Sequence, residues 1–386
     1  MKISRIGIII TFMFIASHAL AEIHGPFIQL GGDTAKESVV CWLATEDQPF
    51  MLKLNGEWTM KKTKKQAFGS SKYTANRVLL TGLKPGATYE FRIGKVTYTS
   101  KTMSEKTDKL TFAVGGDMMN TPEMLAKTTK QLAKRAPDFA VYGGDLAYAN
   151  GSSVERWLSF LNVMAKEALD QQGRLIPAIV CIGNHEVRGG YNKTPKEAPF
   201  FYSLFELPEG KSNYVQTVSQ FAAFVVLDSN HTQKIKDQRT WLDNTLKKHE
   251  KFAYTFPVYH FPAYGLVKGG LKNKHSIDAR KYWVPLFEKY NVRLAFENDH
   301  HIYKRSKPIR NGKVDTNSGI TYVGDGAYGV ATRKLPKNWQ ELWYVETAKS
   351  VRHFILVTAS ESGAHIEAID ENGKAIDKSF IKRLVR

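Results

Sequence analysis

Five apolar stretches of this chain run directly into residues that bind hard metal ions. Leu110–Val114 leads to Gly116-Asp117, Phe139–Tyr142 to Gly144-Asp145 with Tyr148 three residues on, and Ala178–Ile182 to Gly183-Asn184-His185-Glu186. Phe256–Tyr259 leads to His260-Phe261-Pro262-Ala263-Tyr264, and Val292–Phe296 to Asp299-His300-His301-Ile302-Tyr303-Lys304-Arg305. Carboxylates, a phenol, an amide and imidazoles are the side chains that hold hard and borderline cations. Taken singly, each has an ordinary explanation: an Asp after Gly caps a helix or turn, a lone Asn makes a turn, and a lone His is a satisfied polar group. Their recurrence at five strand ends is what points to one site, because ligands of open α/β sheets gather outside the carboxyl ends of the strands. The glycine before each acidic residue is expected to let the backbone turn tightly beneath the metal.

The elements that must position these residues follow from the hydrophobic pattern. The five stretches, with Ala222–Leu227, read as buried strands. Between them Pro122–Arg135, Val154–Leu169, Gln238–His249 and Ala279–Tyr290 read as helices, which makes residues 107–386 a layered α/β unit. Phe354–Thr358 and Ala364–Ile369 read as a closing hairpin. Residues 22–106 differ in texture: short alternating runs such as Val39–Leu43, Met51–Leu54, Val78–Leu80 and Tyr89–Ile93, punctuated by Gly, Pro and Asn, predict a small all-β sandwich.

Together the GDxxY, GNHE, HxPxY and HxYxR runs, in this order, resemble the calcineurin-like metallophosphoesterases and, within them, the purple acid phosphatases. Leu80 to Tyr89 resembles the turn and strand of a fibronectin type III domain, in which a tyrosine fixes a corner, and such a domain also precedes the catalytic part of purple acid phosphatases. The resemblance implies β-sheets sandwiched by helices (α/β/β/α) behind the small sandwich. It implies a dimetal hydrolase of phosphate monoesters working by in-line attack of metal-bound hydroxide, with a phosphorylated small molecule or other anion as substrate. Carried over, Asp117, Asp145, Tyr148 and His301 hold one ion, expected to be Fe(III). Asp145 bridges to a divalent Zn, Mn or Fe ion held also by Asn184, His260 and Asp299. His185 steadies the phosphoryl group or protonates the leaving oxygen, and His275, in a Gly- and Lys-rich loop, is a second proton donor. Two departures stand out: Met119 lies where many relatives outside the purple group have a histidine, and Asn298-Asp299-His300 replaces the start of the family's GHxH. Counting back from Tyr303 puts Asp299 on the first of those histidines; taking His300 instead breaks the spacing. His231, at the end of Ala222–Leu227, lies at a strand end that can approach the same pocket.

Composition bounds the rest. The 386 residues, 42% hydrophobic and 12% aromatic, suffice for one large core and a smaller one. Lys2 and Arg5, the apolar run Ile6–Ile15 and Ala19-Leu20-Ala21 form a signal peptide of residues 1–21, which predicts a periplasmic or secreted protein with no transmembrane segment when mature. Two cysteines, Cys41 and Cys181, each in an apolar run, are expected as buried free thiols and exclude a cysteine-based metal or redox site. The net charge of +18 favours anionic substrates. The Lys61–Lys65 cluster lacks interleaved aromatics, so no specific nucleic-acid partner is expected. Two other functions fit the same residues: a phosphodiesterase for nucleotides or lipid headgroups, and a catalytically silent binding protein.

Overall fold

The computed structural model describes residues 22–324 and 326–384. The apolar run 6–15 and the cleavage site after residue 21 lie outside them. Among the described residues, no helix is long and apolar enough to cross a membrane.

Two large sheets face each other. The first has ten strands, in spatial order Ala375–Lys382, Gly363–Asp370, His353–Ser360, Lys109–Gly115, Phe139–Tyr142, Ala178–Val180, Ile23–Leu30, Ser38–Ala44, Thr74–Leu80 and Lys64–Ala67. The second has seven, in the order Tyr214–Val218, Ala222–Leu227, Tyr254–Tyr259, Leu294–Glu297, Thr321–Gly324, Tyr303–Ser306 and Val345–Lys349. Side chains on a strand alternate between faces, and the second sheet shows it. Phe224, Val226, Phe256, Val258 and Phe296 point into the core shared with the first sheet. Val225, Leu227, Tyr259 and Ala295 point the other way, against Leu242, Leu246, Ala279, Leu286 and Phe287 of the helices Arg239–Lys248, Lys274–Tyr282 and Val284–Lys289. The helices Pro122–Lys134 and Val154–Glu167 pack Leu125, Leu132, Trp157 and Phe160 on the first sheet. The order is helix, sheet, sheet, helix, as the family resemblance implies. Phe112 is the centre of the inter-sheet layer, with ring centroids 5.0 Å from Phe224, 5.3 Å from Phe256 and 5.9 Å from Phe296.

Two expectations shift. The helix read as Ala279–Tyr290 is two helices, Lys274–Tyr282 and Val284–Lys289. Pro285 cannot donate to a carbonyl one turn back and its ring crowds the preceding turn, so the first helix must end before it. The first helix begins at the Asn273 cap, so His275 is in a first helical turn, with its N–H donating to the Asn273 side chain, rather than in a loop. The N-terminal strands form the strand-rich region expected and also enter the large sheet. A four-stranded sheet (Glu57–Met60, Phe50–Leu54, Thr88–Ile93, Val96–Lys101) packs on Ile28, Val40, Trp42 and Val78, which face it from the end of the ten-stranded sheet. The opposite face of those same strands, through Phe27, Cys41, Leu43 and Ala75, belongs to the large core. Ser38–Ala44 is consequently buried at all seven positions, and Ile23–Leu30 pairs in parallel with Ala178–Val180 through Gln29 and Ala178. The Tyr89 hydroxyl donates to Ser38 Oγ at 2.7 Å and pins the four-stranded sheet to the end of the ten-stranded one.

Replacing Phe112 with alanine removes the ring at the junction of both sheets, and should lower unfolding free energy by about 3–5 kcal/mol in chemical denaturation. Cys41 and Cys181 are buried and unpaired, and burial pushes the Cys41 thiol up to about 12 and Cys181 well above its ordinary value. A thiol reagent at pH 8 should label neither cysteine in the native protein and both in guanidinium.

Candidate metal centre

The parallel strands of both sheets end side by side, and their loops are tied before any side chain is considered. Gly143 N–H donates to Gly115 O at 2.7 Å, Asp117 N–H to Gly144 O at 2.9 Å, Met118 N–H to Asp145 O at 2.8 Å, and Asn298 N–H to His260 O at 2.9 Å. The turns themselves are made by the polar residues. Asp117, Asp145, Tyr148, Asp299 and His301 all lie in the left-handed region, with φ of 57°, 55°, 55°, 72° and 55°. That conformation is costly away from glycine and persists only where its surroundings enforce it, typically at functional sites. The role expected for the preceding glycines changes accordingly. Gly144 does turn, at φ 101°, but Gly116 and Gly183 supply room: a Cβ there would lie 2.3 Å from Asn298 Oδ1 and 2.2 Å from Asp145 Oδ1.

All seven residues named as metal ligands are brought to one place. On one side the Tyr148 hydroxyl donates to Asp117 Oδ1 at 2.9 Å and lies 3.0 Å from His301 Nε2, itself 2.9 Å from the same Asp117 oxygen. On the other, His260 Nε2 is 3.2 Å from Asp145 Oδ2, 3.2 Å from Asn184 Oδ1 and 3.5 Å from Asp299 Oδ1. Asp299 N–H donates to Asp117 Oδ2 at 2.8 Å and links the two sides. One ligand atom each from Asp117, Asp145 and His260 falls within 4.8 Å of the others.

The electrostatics are demanding. Asp117, Asp145 and Asp299 are at most 1% exposed. Burial works against the charge of Asp145, yet His260 and His185 hold its carboxyl below the usual range. Burial likewise opposes Asp299, and His260 and Lys268 hold it well below. His260 is driven the opposite way, raised against burial by Asp145 and Asp117. Burial, then Asp117 and Asp145, keep the proton on Tyr148. Asp145 Oδ2 and Asp299 Oδ2 remain buried without a hydrogen-bond partner. Buried acceptors left so need a cation or a donor.

Two further buried carboxylates hold the loops in place, and neither was singled out from the sequence. Glu186 accepts from the N–H groups of Asp145, Leu146 and Gly183, each at 2.8 Å, so it welds the second and third loops together. Burial and the Asp145 charge push Glu186 up to about 8, against the pull of those donors. Glu297 accepts from Tyr259 Oη and Ala263 N–H, both at 2.8 Å, and from Lys304 Nζ at 2.6 Å, which fixes the turn after His260. Asn298, wedged between Gly116 and Gly143, donates to Tyr259 O at 3.0 Å. Tyr191 was also missed; its hydroxyl donates to Asn184 Oδ1 at 3.1 Å. Glu186 belongs to the GNHE run and was legible there as a polar residue, whereas Tyr191 carries no local signal.

The histidines divide. His185 stacks on Tyr148 with ring centroids 4.1 Å apart, pairs through Nδ1 with Asn150 Oδ1, and has Nε2 3.8 Å from Asp145 Oδ2. His275 turns to a neighbouring wall: it stacks on Tyr191 at 4.4 Å and pairs through Nδ1 with Asn230 Nδ2 at 3.0 Å. His231 is fully buried 5.5 Å from the His260 ring, and burial pushes it down to about 4. His300 Nδ1 accepts from Leu266 and Val267 N–H, so that ring serves the adjacent loop.

The calcineurin-like phosphoesterase family matches residues 110–303, which hold every one of these site residues. Purple acid phosphatase 21 of Arabidopsis thaliana is 27% identical over 73% of this chain and 68% of its own length. Purple acid phosphatase 18 of the same plant is 26% identical over 63% of the chain, which spans just 56% of that relative. Among solved structures, a purple acid phosphatase from yellow lupin (Lupinus luteus) seeds superposes with a TM-score of 0.77 at 17% identity, over 93% of this chain and 75% of that one. A shared fold and a family match covering the whole strand-end site lead to one assignment: the chain belongs to the calcineurin-like phosphoesterases and carries their hydrolase domain.

Proposed function

We propose that this protein is an exported phosphatase that hydrolyses phosphate monoesters at a dinuclear centre of Fe(III) and a divalent Zn, Mn or Fe ion. The reading is carried by one observation: Asp117, Asp145 and His260 converge within 4.8 Å while Asp145 Oδ2 and Asp299 Oδ2, both buried, lack hydrogen-bond partners. The donor set fits two unlike ions. Two carboxylates and a phenol with one imidazole, Asp117, Asp145, Tyr148 and His301, suit a trivalent ion; Asn184, His260 and Asp299, with Asp145 shared, suit a divalent one. Such ions supply water of lowered pKa and offset charge on the phosphoryl oxygens.

The chain's own residues do the rest. With Nδ1 engaged by Asn150, His185 has Nε2 left to hold a proton facing the site. Its ring is fixed by the Tyr148 stack, so that proton can be delivered to the leaving oxygen without the side chain reorganising. His275 acts at one remove, setting the wall formed with Tyr191 and Phe261. The strands of residues 22–106 act as a fibronectin type III-like brace for residues 107–386, consistent with their shared core. The net charge of +18 draws anionic esters toward the site.

Asp145→Asn should lower kcat on an aryl phosphate monoester by about 1000-fold or more, since it removes the shared carboxylate, and elemental analysis should show lost metal. A bound-metal count of zero in the wild type, or an unchanged rate in the variant, overturns the proposal. An aryl diester turned over faster than the monoester would assign phosphodiester hydrolysis instead, and bound metal without turnover would assign a binding protein. Iron-loaded wild type should absorb in the visible through phenolate-to-iron charge transfer; Tyr148→Phe should abolish that band, and its persistence would remove Tyr148 from the ligand set.

A further inference from the structure

Asp299 is the residue of the cluster whose charge most needs an account. It is a third buried carboxylate, and its two oxygens are in different states. Oδ1 is 2.8 Å from Lys268 Nζ and 3.5 Å from His260 Nε2, whereas Oδ2 has no hydrogen-bond partner and lies 3.8 Å from His300 Nε2. The segment that brings the lysine is built for the purpose. Lys268 itself has φ 53°, followed by Gly269 at 87° and Gly270 at 54°, and its carbonyl accepts from Asn273 Nδ2 at 3.0 Å. His300, next in sequence to Asp299, grips the same segment, accepting at Nδ1 from Leu266 and Val267 N–H at 3.2 and 3.3 Å. A Cβ on Gly265 would lie 2.2 Å from His300 Cε1, so the fit of ring to loop needs that glycine. Tyr344 Oη donates to Gly265 O at 2.8 Å and closes the turn from behind. Asp299 and His300 thus form one clasp on residues 265–268, one by charge and the other by backbone.

This arrangement leaves Lys268 two-thirds buried, with its ammonium at the mouth of a site that binds cations under the function proposed above. An ammonium beside a cation site repels the ion unless its charge is matched, and here Asp299 is the matching group. We propose that Lys268 is a positioning residue for the divalent ion. It holds Asp299 through Oδ1, the oxygen that also lies 3.5 Å from His260 Nε2, and so fixes the carboxylate beside the divalent position and cancels the charge that it adds there. The divalent position then has the electrostatics of one served by a neutral ligand. The inference rests on the dimetal reading and adds to it a specific partnership between two loops.

Charge exchange tests it, with ion counts by elemental analysis and affinities by Zn competition titration. Asp299→His keeps a ligand but strands the ammonium, and should weaken the second ion by about 10–100-fold, the usual range for a lost partner of a ligand. Adding Lys268→Met to Asp299→His should restore affinity to within about threefold of wild type, whereas adding Lys268→Arg, which keeps the charge, should not. If Asp299→His fails to fold, Asp299→Asn with and without Lys268→Met is expected to show the same ordering. Equal affinities for the Met and Arg double variants overturn the role of Lys268 while leaving the dimetal reading intact, provided wild type binds two ions. A wild type that binds none removes both.

Discussion

Three carboxylates that water scarcely reaches, Asp117, Asp145 and Asp299, meet at the open end of two stacked sheets. Like charges gathered in a low-dielectric interior repel strongly and lose their hydration, so they stay ionised only when cations stand among them. Much of the surrounding architecture answers that constraint. His260 sits between Asp145 and Asp299, His301 beside Asp117, and Lys268 against Asp299. The carboxylate oxygens that still lack partners mark where further positive charge is accommodated.

Holding repelling groups together takes rigidity from elsewhere. Phe112 and the rings around it lock the two sheets face to face, so loops from both arrive at a fixed separation. Glu186 and Glu297 then tie those loops by their backbones, one for each sheet. Backbone N–H groups are stronger anchors here than side chains, since they have no rotamers to lose. The left-handed turns at five of the seven proposed ligands are the local strain that this framework sustains.

The N-terminal strands contribute to the same rigidity. Because Ile23–Leu30 extends the sheet that bears Asp117 and Asp145, and Ser38–Ala44 is buried on both faces, the small sandwich is continuous with the large core. Stiffness in one is transmitted to the other by shared packing.

Much of this was determined by sequence alone. Short continuous apolar runs bounded by turn residues specify strands buried on both faces whichever partners they find, so Phe139–Tyr142 and Ala222–Leu227 emerged with the bounds read from their residues. A metal-binding side chain just past such a run must lie near the strand's carboxyl end, which is why five loops could be expected to converge, and the resemblance to the purple acid phosphatases then picked out seven proposed ligands within them. Tertiary structure decided whatever depends on distant neighbours. Lys268 pairs with Asp299 across 31 residues and Tyr191 reaches Asn184 from a loop without periodicity, so neither leaves a local trace. The placement of His275 turned on Asn273 starting a helix just ahead of it, and its ring was claimed by Tyr191 and Asn230. The glycines show the division most plainly: their positions were visible in the sequence, but only packing revealed that Gly116 and Gly183 make room for Asn298 and Asp145, because an excluded volume exists only once both chain segments are in place.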